Sequence, residues 1–215
     1  MTPTISEPET YQGQFGEFTI TKGDRQGVVL YRAALTVAAV CFAAGVALVL
    51  GGGDDALKWL SPLYTVFSLA LGASLLLIHI YMKPLHQALQ AFWLIGAIAA
   101  IAVAHLYPEP FVQSVYLHPQ TIWGVGFTFA ALTGIFFKEA FCFNRLETKL
   151  LTLLVPLLLL GHLAGILSPG IESKLLAVWA ALMLVFALRK CVQAIPPDIG
   201  DKSVFDYLQQ ERQQA

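Results

Sequence analysis

The sequence is short of charge. Of its 215 residues only 13% are Asp, Glu, Lys or Arg, while 57% are hydrophobic; soluble domains carry about 25% charged and about 45–50% apolar residues. A water-soluble core of this size has no room for that apolar excess, and the mean hydropathy of +0.67 excludes a soluble globular protein. The formal net charge of -1 leaves no basic field for binding phosphates, which excludes a nucleic-acid partner. Only 3 cysteines are present, too few, in a chain expected to face mainly the cytoplasm, for a disulfide framework. Walker loop, nucleophile elbow, zinc-protease pair and Cys-x-x-Cys are all missing. The first 30 residues hold no basic start followed by an apolar run and a cleavage site, so no removable signal peptide is expected and the first span serves as the insertion signal.

What the chain does have is long uncharged apolar runs. A helix crosses about 30 Å of hydrocarbon with about 20 such residues, and six runs qualify. They cover 33–50, 63–81, 87–106, 122–137 with an extension toward Phe143, 150–167 and 175–188. The last is short, and reaches spanning length if Lys174, Arg189 and Lys190 snorkel to the interfaces. Six spans place both termini on one side of the membrane. That side then holds Lys22, Arg25, Arg32, Lys83, Lys138, Arg145, Lys149, Arg189, Lys190, Lys202 and Arg212, and the other only Lys58 and Lys174. Because basic residues gather in cytoplasmic loops, both termini are expected in the cytoplasm. The fold class read here is all-α: a polytopic six-helix transmembrane bundle over 31–194, between a cytoplasmic segment 1–30 and a cytoplasmic tail 195–215. The bilayer is then the first partner, in the plasma membrane or a thylakoid membrane.

The ends carry their own patterns. Residues Gly16 to Thr21 alternate with period two, and Gly23-Asp24 reads as a turn, so a short strand or hairpin is expected before the first span. Past Ile195-Pro196-Pro197, Val204, Phe205 and Leu208 form an apolar stripe at helical spacing from a cap at Asp201 or Ser203. This tail is read either as an amphipathic helix or as a frayed polar end. Small residues four apart mark faces for close helix packing: Ala39, Ala43 and Ala47, then Gly96, Ala100 and Ala104, then Gly126, Ala130 and Gly134. These stripes are expected inside the bundle, and Pro156 is expected to kink the fifth span.

Candidate chemistry is sparse, since no Asp, Glu, Lys or Arg lies near mid-membrane. His162 in the fifth span and His105 at the end of the third sit in the same outer half and can approach each other. An imidazole there either binds a neighbouring helix, or the carbonyls freed by Pro156, or ligates haem iron or chlorophyll magnesium. No cofactor is required by the sequence. His79, His86, Gln87 and Gln90 form a polar patch at the inner interface, suited to headgroups or helix–helix bonds. The most distinctive stretch is the inner loop after the fourth span, where Lys138, Glu139, Cys142, Arg145 and Glu147 cluster. A continuing helix gathers Lys138, Glu139 and Cys142 on neighbouring faces. This cluster is read as an interaction face, either an interfacial Lys-Glu anchor with a phenylalanine belt or an activated thiol near Lys138. Cys142 and Cys191 can meet at the inner surface without making a zinc site.

Two stretches carry a resemblance. They are Tyr11-Gln12-Gly13-Gln14-Phe15-Gly16-Glu17-Phe18 with Asp24-Arg25 and Tyr31-Arg32, and Ala131-Leu132-Thr133-Gly134-Ile135-Phe136-Phe137-Lys138-Glu139-Ala140-Phe141-Cys142. On these the chain resembles a family of uncharacterised integral membrane proteins of cyanobacteria and plastids. The resemblance covers most of the chain, implies a membrane of the photosynthetic lineage, and supplies no catalytic residue. The leading functional expectation is a non-enzymatic accessory or assembly factor of a membrane complex, with a membrane-protein partner. The alternatives are a carrier or channel for a small solute, with Pro156, His162 and Gln90 on its path, and pigment or haem binding through His162 or His105.

Overall fold

The computed structural model describes residues 9–214; residues 1–8 of the expected amino-terminal segment, with part of the stretch read for a signal peptide, and Ala215 lie outside the described residues. The chain opens with a hairpin, β1 (Glu9–Gln12) antiparallel to β2 (Glu17–Ile20), in which Tyr11 faces Phe18. There follow α1 (Lys22–Gly51), α2 (Leu60–Leu77), α3 (Lys83–Leu106), a short α4 (Phe111–Leu117), α5 (Ile122–Phe143), α6 (Leu146–Leu163), α7 (Pro169–Val192), the single turn α8 (Pro196–Ile199) and α9 (Lys202–Gln214). Among the described residues six helices are long and apolar enough to cross a membrane, α2 and α5 being lengthened by 3-10 turns. The hairpin and α9 lie together at one end of the bundle, called here the terminal face.

Several boundaries move from their sequence expectation for local reasons. The expected turn at Gly23-Asp24 is instead the first turn of α1. Thr21 caps the helix by accepting the Asp24 amide at 3.2 Å, while Asp24 Oδ2 accepts the Thr21 amide at 2.8 Å; such reciprocal caps satisfy amides that a helix start leaves open. Pro84 and Pro169 lie in the first turns of α3 and α7, where a missing N–H costs nothing. Asn144, at φ 50, closes α5 in the left-handed region, and the two residues Asn144 and Arg145 alone join it to α6, which makes the two helices antiparallel neighbours. Helix α6 runs unbroken through Pro156.

The core is one apolar cluster running through the bundle, with Tyr31, Leu35, Phe67, Leu71, Leu132, Phe136, Leu151 and Phe186 among its fully enclosed members. The small-residue stripes are only half right. Ala39, Gly96 and Ala100 are buried, but Ala47, Ala104 and Ala130 are exposed. Helix α5 turns Val125, Thr128, Ala131, Leu132, Ile135 and Phe136 inward instead, because larger apolar side chains fill the centre of the bundle and small ones are needed only where backbones cross closely. One such crossing is Gly96, where a Cβ would fall well inside the van der Waals surfaces of the Thr128 hydroxyl and backbone nitrogen. That contact fixes α3 against α5.

The expected amphipathic tail exists as α9, and it docks on the chain itself. Asp201 and Ser203 accept the Gln14 and Phe15 amides at 2.6 and 3.1 Å. Phe15 stacks on Tyr207 at 4.0 Å, and Tyr81 packs on Phe205 at 4.9 Å. The two chain ends and the α2–α3 connection thus form one layer over the terminal face.

Candidate functional site

Two polar features stand out, one at each end of the bundle. At the terminal face the Lys190 side chain is 0% exposed, as is that of Glu139. Lys190 Nζ donates to Glu139 Oε2 at 2.8 Å and to Asp198 Oδ1, and lies 4.6 Å from the Phe143 ring centroid. Arg32 reaches the other oxygen of Asp198 with Nε at 2.8 Å and Nη2 at 2.6 Å, and its fork also donates to the carbonyls of Gln193 and Ala194. Lys138 donates to Glu139 Oε1 at 3.0 Å. Three cations and two carboxylates from α1, α5, α7 and α8 therefore share one buried network. Such a network is weak evidence of net stability, because desolvation offsets much of the attraction, but removal of one member strands its partners. Its geometric effect is definite: it ties the turn after α7 back onto α1.

This network corrects the expected snorkelling of Lys190. Arg189, 53% exposed, does reach the surface and pairs with Glu147 at 3.1 Å. A step of one residue turns a helix by about 100°, so Lys190 points inward and finds two carboxylates. Of the inner-face cluster, Glu139 and Lys138 enter the network, Arg145 bonds the Gln193 side chain at 2.7 Å, and Glu147 pairs with Arg189. Cys142, on the last turn of α5, is an exposed free thiol. Cys191 is a free thiol as well, and its Sγ lies 3.4 Å from the Thr36 hydroxyl. The polar patch divides likewise: His86 Nε2 and Gln90 Nε2 sit 2.6 and 3.3 Å from the Leu75 carbonyl, one of the acceptors near the end of α2, where helices leave carbonyls open. Burial, the largest influence on His79, pulls its pKa below the ordinary 6.5.

At the opposite end the helices splay around a cleft of about 380 Å³. Each contributes a face repeating every three or four residues: Phe42, Gly45, Val46 and Val49 from α1; Leu60, Leu63, Tyr64 and Phe67 from α2; Glu172, Ser173, Leu176 and Trp179 from α7. Leu158, Leu159 and His162 of α6 and Phe129 of α5 complete the walls, and Val112, Val115 and Tyr116 of α4 the roof. From Glu172 to Trp179 is seven residues, so the cleft runs about 10 Å along α7. Its lining is almost wholly apolar and aromatic, with Phe42 at 4.5 Å and Phe129 at 5.3 Å from Trp179.

His162 sits at the rim. The Tyr116 carbonyl can only accept, so Nε2, 3.1 Å away, carries a proton and donates to it. Nδ1 lies 2.7 Å from Glu172 Oε1, and the ring stacks on that of Tyr116 at 5.0 Å. These bonds pin the roof helix α4 to α6 and α7. Both ring nitrogens are engaged within the chain, so ligation of an iron or magnesium would require one to let go. His105 Nδ1 lies 2.7 Å from the Ile101 carbonyl of its own helix, and the hydrogen bonds of the two histidines do not join them. Gln90, expected on a path with His162, sits at the far end of the bundle.

The floor of the cleft holds a residue that the sequence did not single out. Trp179 is 2% exposed and, among the described residues, its Nε1 has no hydrogen-bond partner. An indole nitrogen only donates, and leaving it enclosed and unpaired costs about 1–3 kcal/mol. Nor did the sequence pair His162 with Glu172, although an acid in the first turn of a helix following Ser168-Pro169 is a recognisable signal.

Comparison with known proteins bears on the bundle as a whole. Residues 73–207, well over half of the chain, match the family described as uncharacterized integral membrane protein (DUF2301). The chain belongs to that family. The matched stretch of this DUF2301 protein takes in α3 to α8, and with them the His162 rim, Trp179 and the carboxylates of the ionic network. No curated protein and no solved structure matches the chain.

Proposed function

We propose that this protein is a non-enzymatic membrane protein that holds a small lipid-soluble molecule in the cleft roofed by α4. The cleft itself carries the reading. Sites for small molecules are mostly apolar hollows of about 300–1,000 Å³ with a few polar groups for orientation; this one has about 380 Å³ and the His162–Glu172 pair at its rim. A protein that holds such a molecule without a reaction motif serves another that uses it, and we assign it the accessory role in a larger membrane complex expected from the sequence. The division of basic residues, eleven to two, supports cytoplasmic termini, which puts the cleft toward the other side. The resemblance supports a cyanobacterial or plastid membrane.

Binding is better supported than passage or metal ligation. Between the cleft and the terminal-face network lie Leu35, Leu71, Leu132, Ile135 and Met183, all inaccessible, and both nitrogens of His162 are in use. The test is a filling substitution. A Cβ at Gly45 would meet only Leu60 Cδ2, at 3.9 Å, so Gly45→Phe is expected to fold while occupying the cleft. Native mass spectrometry of the gently purified full chain, with and without added decylbenzene, should show bound apolar molecule on the wild type and none on Gly45→Phe. Equal loading of the two proteins, or no loading of either, would overturn the reading.

A further inference from the structure

The two bonds of His162 need more protons than a neutral ring carries. Nε2 donates to the Tyr116 carbonyl at 3.1 Å, which uses the one N–H of a neutral imidazole. Nδ1 lies 2.7 Å from Glu172 Oε1; two bare lone pairs do not meet at that distance, so a second proton sits between them. On the ring or on the carboxyl, it is one proton beyond those of a neutral imidazole and a carboxylate. We propose that this proton operates a latch on the roof of the cleft: while the pair keeps it, α4 is clamped to α6 and α7, and when it leaves, the last turn of α4 is released and the cleft opens. This is regulation of the binding role assigned above, and its effect on a ligand rests on that role. The sign follows from the bonds. A ring left with one N–H serves either Glu172 or the Tyr116 carbonyl, and its bare nitrogen then faces the lone pairs of the other. The latch is therefore closed on the acid side of that proton loss and open on the alkaline side. The first turn of α4 is anchored separately, with Phe111 buried and 4.6 Å from the Tyr64 ring, and the Ser114 hydroxyl donating to the Glu109 carbonyl at 2.9 Å. The last turn, where Tyr116 and Leu117 are half exposed, has no hydrogen bond to α6 or α7 among the described residues other than that of His162. No neighbouring charge competes for the role. No Lys or Arg lines the cleft among the described residues, and Lys58 before α2 and Lys174 on α7 are exposed. Past Lys149, α6 carries no charged residue besides His162, and His118, beyond the end of α4, lies 3.7 Å from Glu109 and stacks on Tyr107 at 4.4 Å.

The experiment is hydrogen–deuterium exchange of the full-length protein in lipid nanodiscs, read at the amides of 115–118 and corrected for intrinsic rate. It runs from about pH 5 to about pH 9, a range that brackets imidazole titration, and the dissociation rate of decylbenzene is measured in the same discs. As pH rises, the wild type should lose protection at these amides about three- to tenfold, the worth of one hydrogen bond, and release decylbenzene faster by a similar factor. Glu172→Gln separates a proton latch from a merely attractive ion pair. Its amide donates to Nδ1 while Nε2 keeps the Tyr116 carbonyl, so both bonds stand on a neutral ring, and the roof should stay protected at every pH. His162→Gln should leave the roof poorly protected at every pH. If Glu172→Gln instead loosens the roof throughout, if wild-type protection is level across the range, or if His162→Gln keeps the wild-type transition, the latch is overturned, while binding of decylbenzene still supports the cleft. If the roof responds but decylbenzene leaves at one rate at every pH, the roof does not gate the cleft and the proposal falls. If the roof responds and decylbenzene binds at no pH, the latch stands and the binding role falls.

Discussion

Asp198 is the member of the terminal-face network whose change should be felt most. Its two oxygens are shared between Lys190 and Arg32, both buried, and it is contributed by a single helical turn whose Ile199 packs with Ile20 and Val28. Asp198→Asn keeps the shape and an acceptor oxygen but removes the charge, so three enclosed cations face Glu139 alone. Breaking a buried pair in this way costs about 3–5 kcal/mol, which at about 2–4 °C per kcal/mol for a chain of this size is a fall of roughly 6–20 °C in melting midpoint. Lys190→Met makes the opposite change. Each carboxylate then still keeps one cation, Glu139 with Lys138 at 3.0 Å and Asp198 with Arg32 at 2.6 Å, and the charge count balances. Its cost is the lost hydrogen bonds less the gain from an apolar side chain, below about 3 kcal/mol. The predicted order is therefore wild type, then Lys190→Met, then Asp198→Asn, read from thermal stability of the full chain in mild detergent by size-exclusion chromatography. A midpoint for Asp198→Asn within about 2 °C of wild type, or a larger fall for Lys190→Met, would refute the buried ionic network.

Two further outcomes follow from other contacts. Gly96→Val pushes side-chain atoms into Thr128 across the α3–α5 crossing, and overpacking of this kind costs about 1–3 kcal/mol; the same assay should show a lowered midpoint, whereas Gly170→Ala, where a Cβ meets nothing within 4 Å, should not. At the clasp between chain ends, the Ser203 hydroxyl and then the Gln14 amide hold the Asp201 carboxyl below its ordinary 3.8. A lowered carboxylate value means that the clasp is intact above that ordinary value and is lost as pH falls through the lower, folded one. Amide exchange at Gln14 and Phe15, corrected for intrinsic rate, should therefore stay slow at pH 6, rise at strongly acid pH, and be fast at pH 6 in Asp201→Asn.

Much of the bundle is legible in the sequence because lipid imposes a simple rule: a long uncharged apolar run has one stable state there. The six spans, the hairpin and the tail helix all follow from runs and periods. What the sequence hides is which side of a helix faces which neighbour. Arg189 and Lys190 look alike as flanking charges, yet one reaches the surface and the other is enclosed, because their directions differ by a single residue's rotation. Ala130 lies on a small-residue stripe but faces outward, since α5 is oriented by its larger side chains. His162 is recognisable as a candidate from its type and depth. Its partners Tyr116 and Glu172 come from two other elements, and the cleft is assembled from six, so no local pattern announces it. Trp179 reads as one more apolar residue of the sixth span until the walls around it are seen.

The most direct measurement of the central claim, that the cleft holds a lipid-soluble molecule, is photolabelling of the full-length protein in native membranes with a diazirine derivative of decylbenzene. Peptide mapping should place adducts on Phe42, Val46 and Val49, on Leu63 and Phe67, and on Leu176 and Trp179, and excess unlabelled decylbenzene should suppress them. Adducts confined to outward-facing residues such as Leu69, Leu76 and Leu153, and insensitive to that excess, would contradict it.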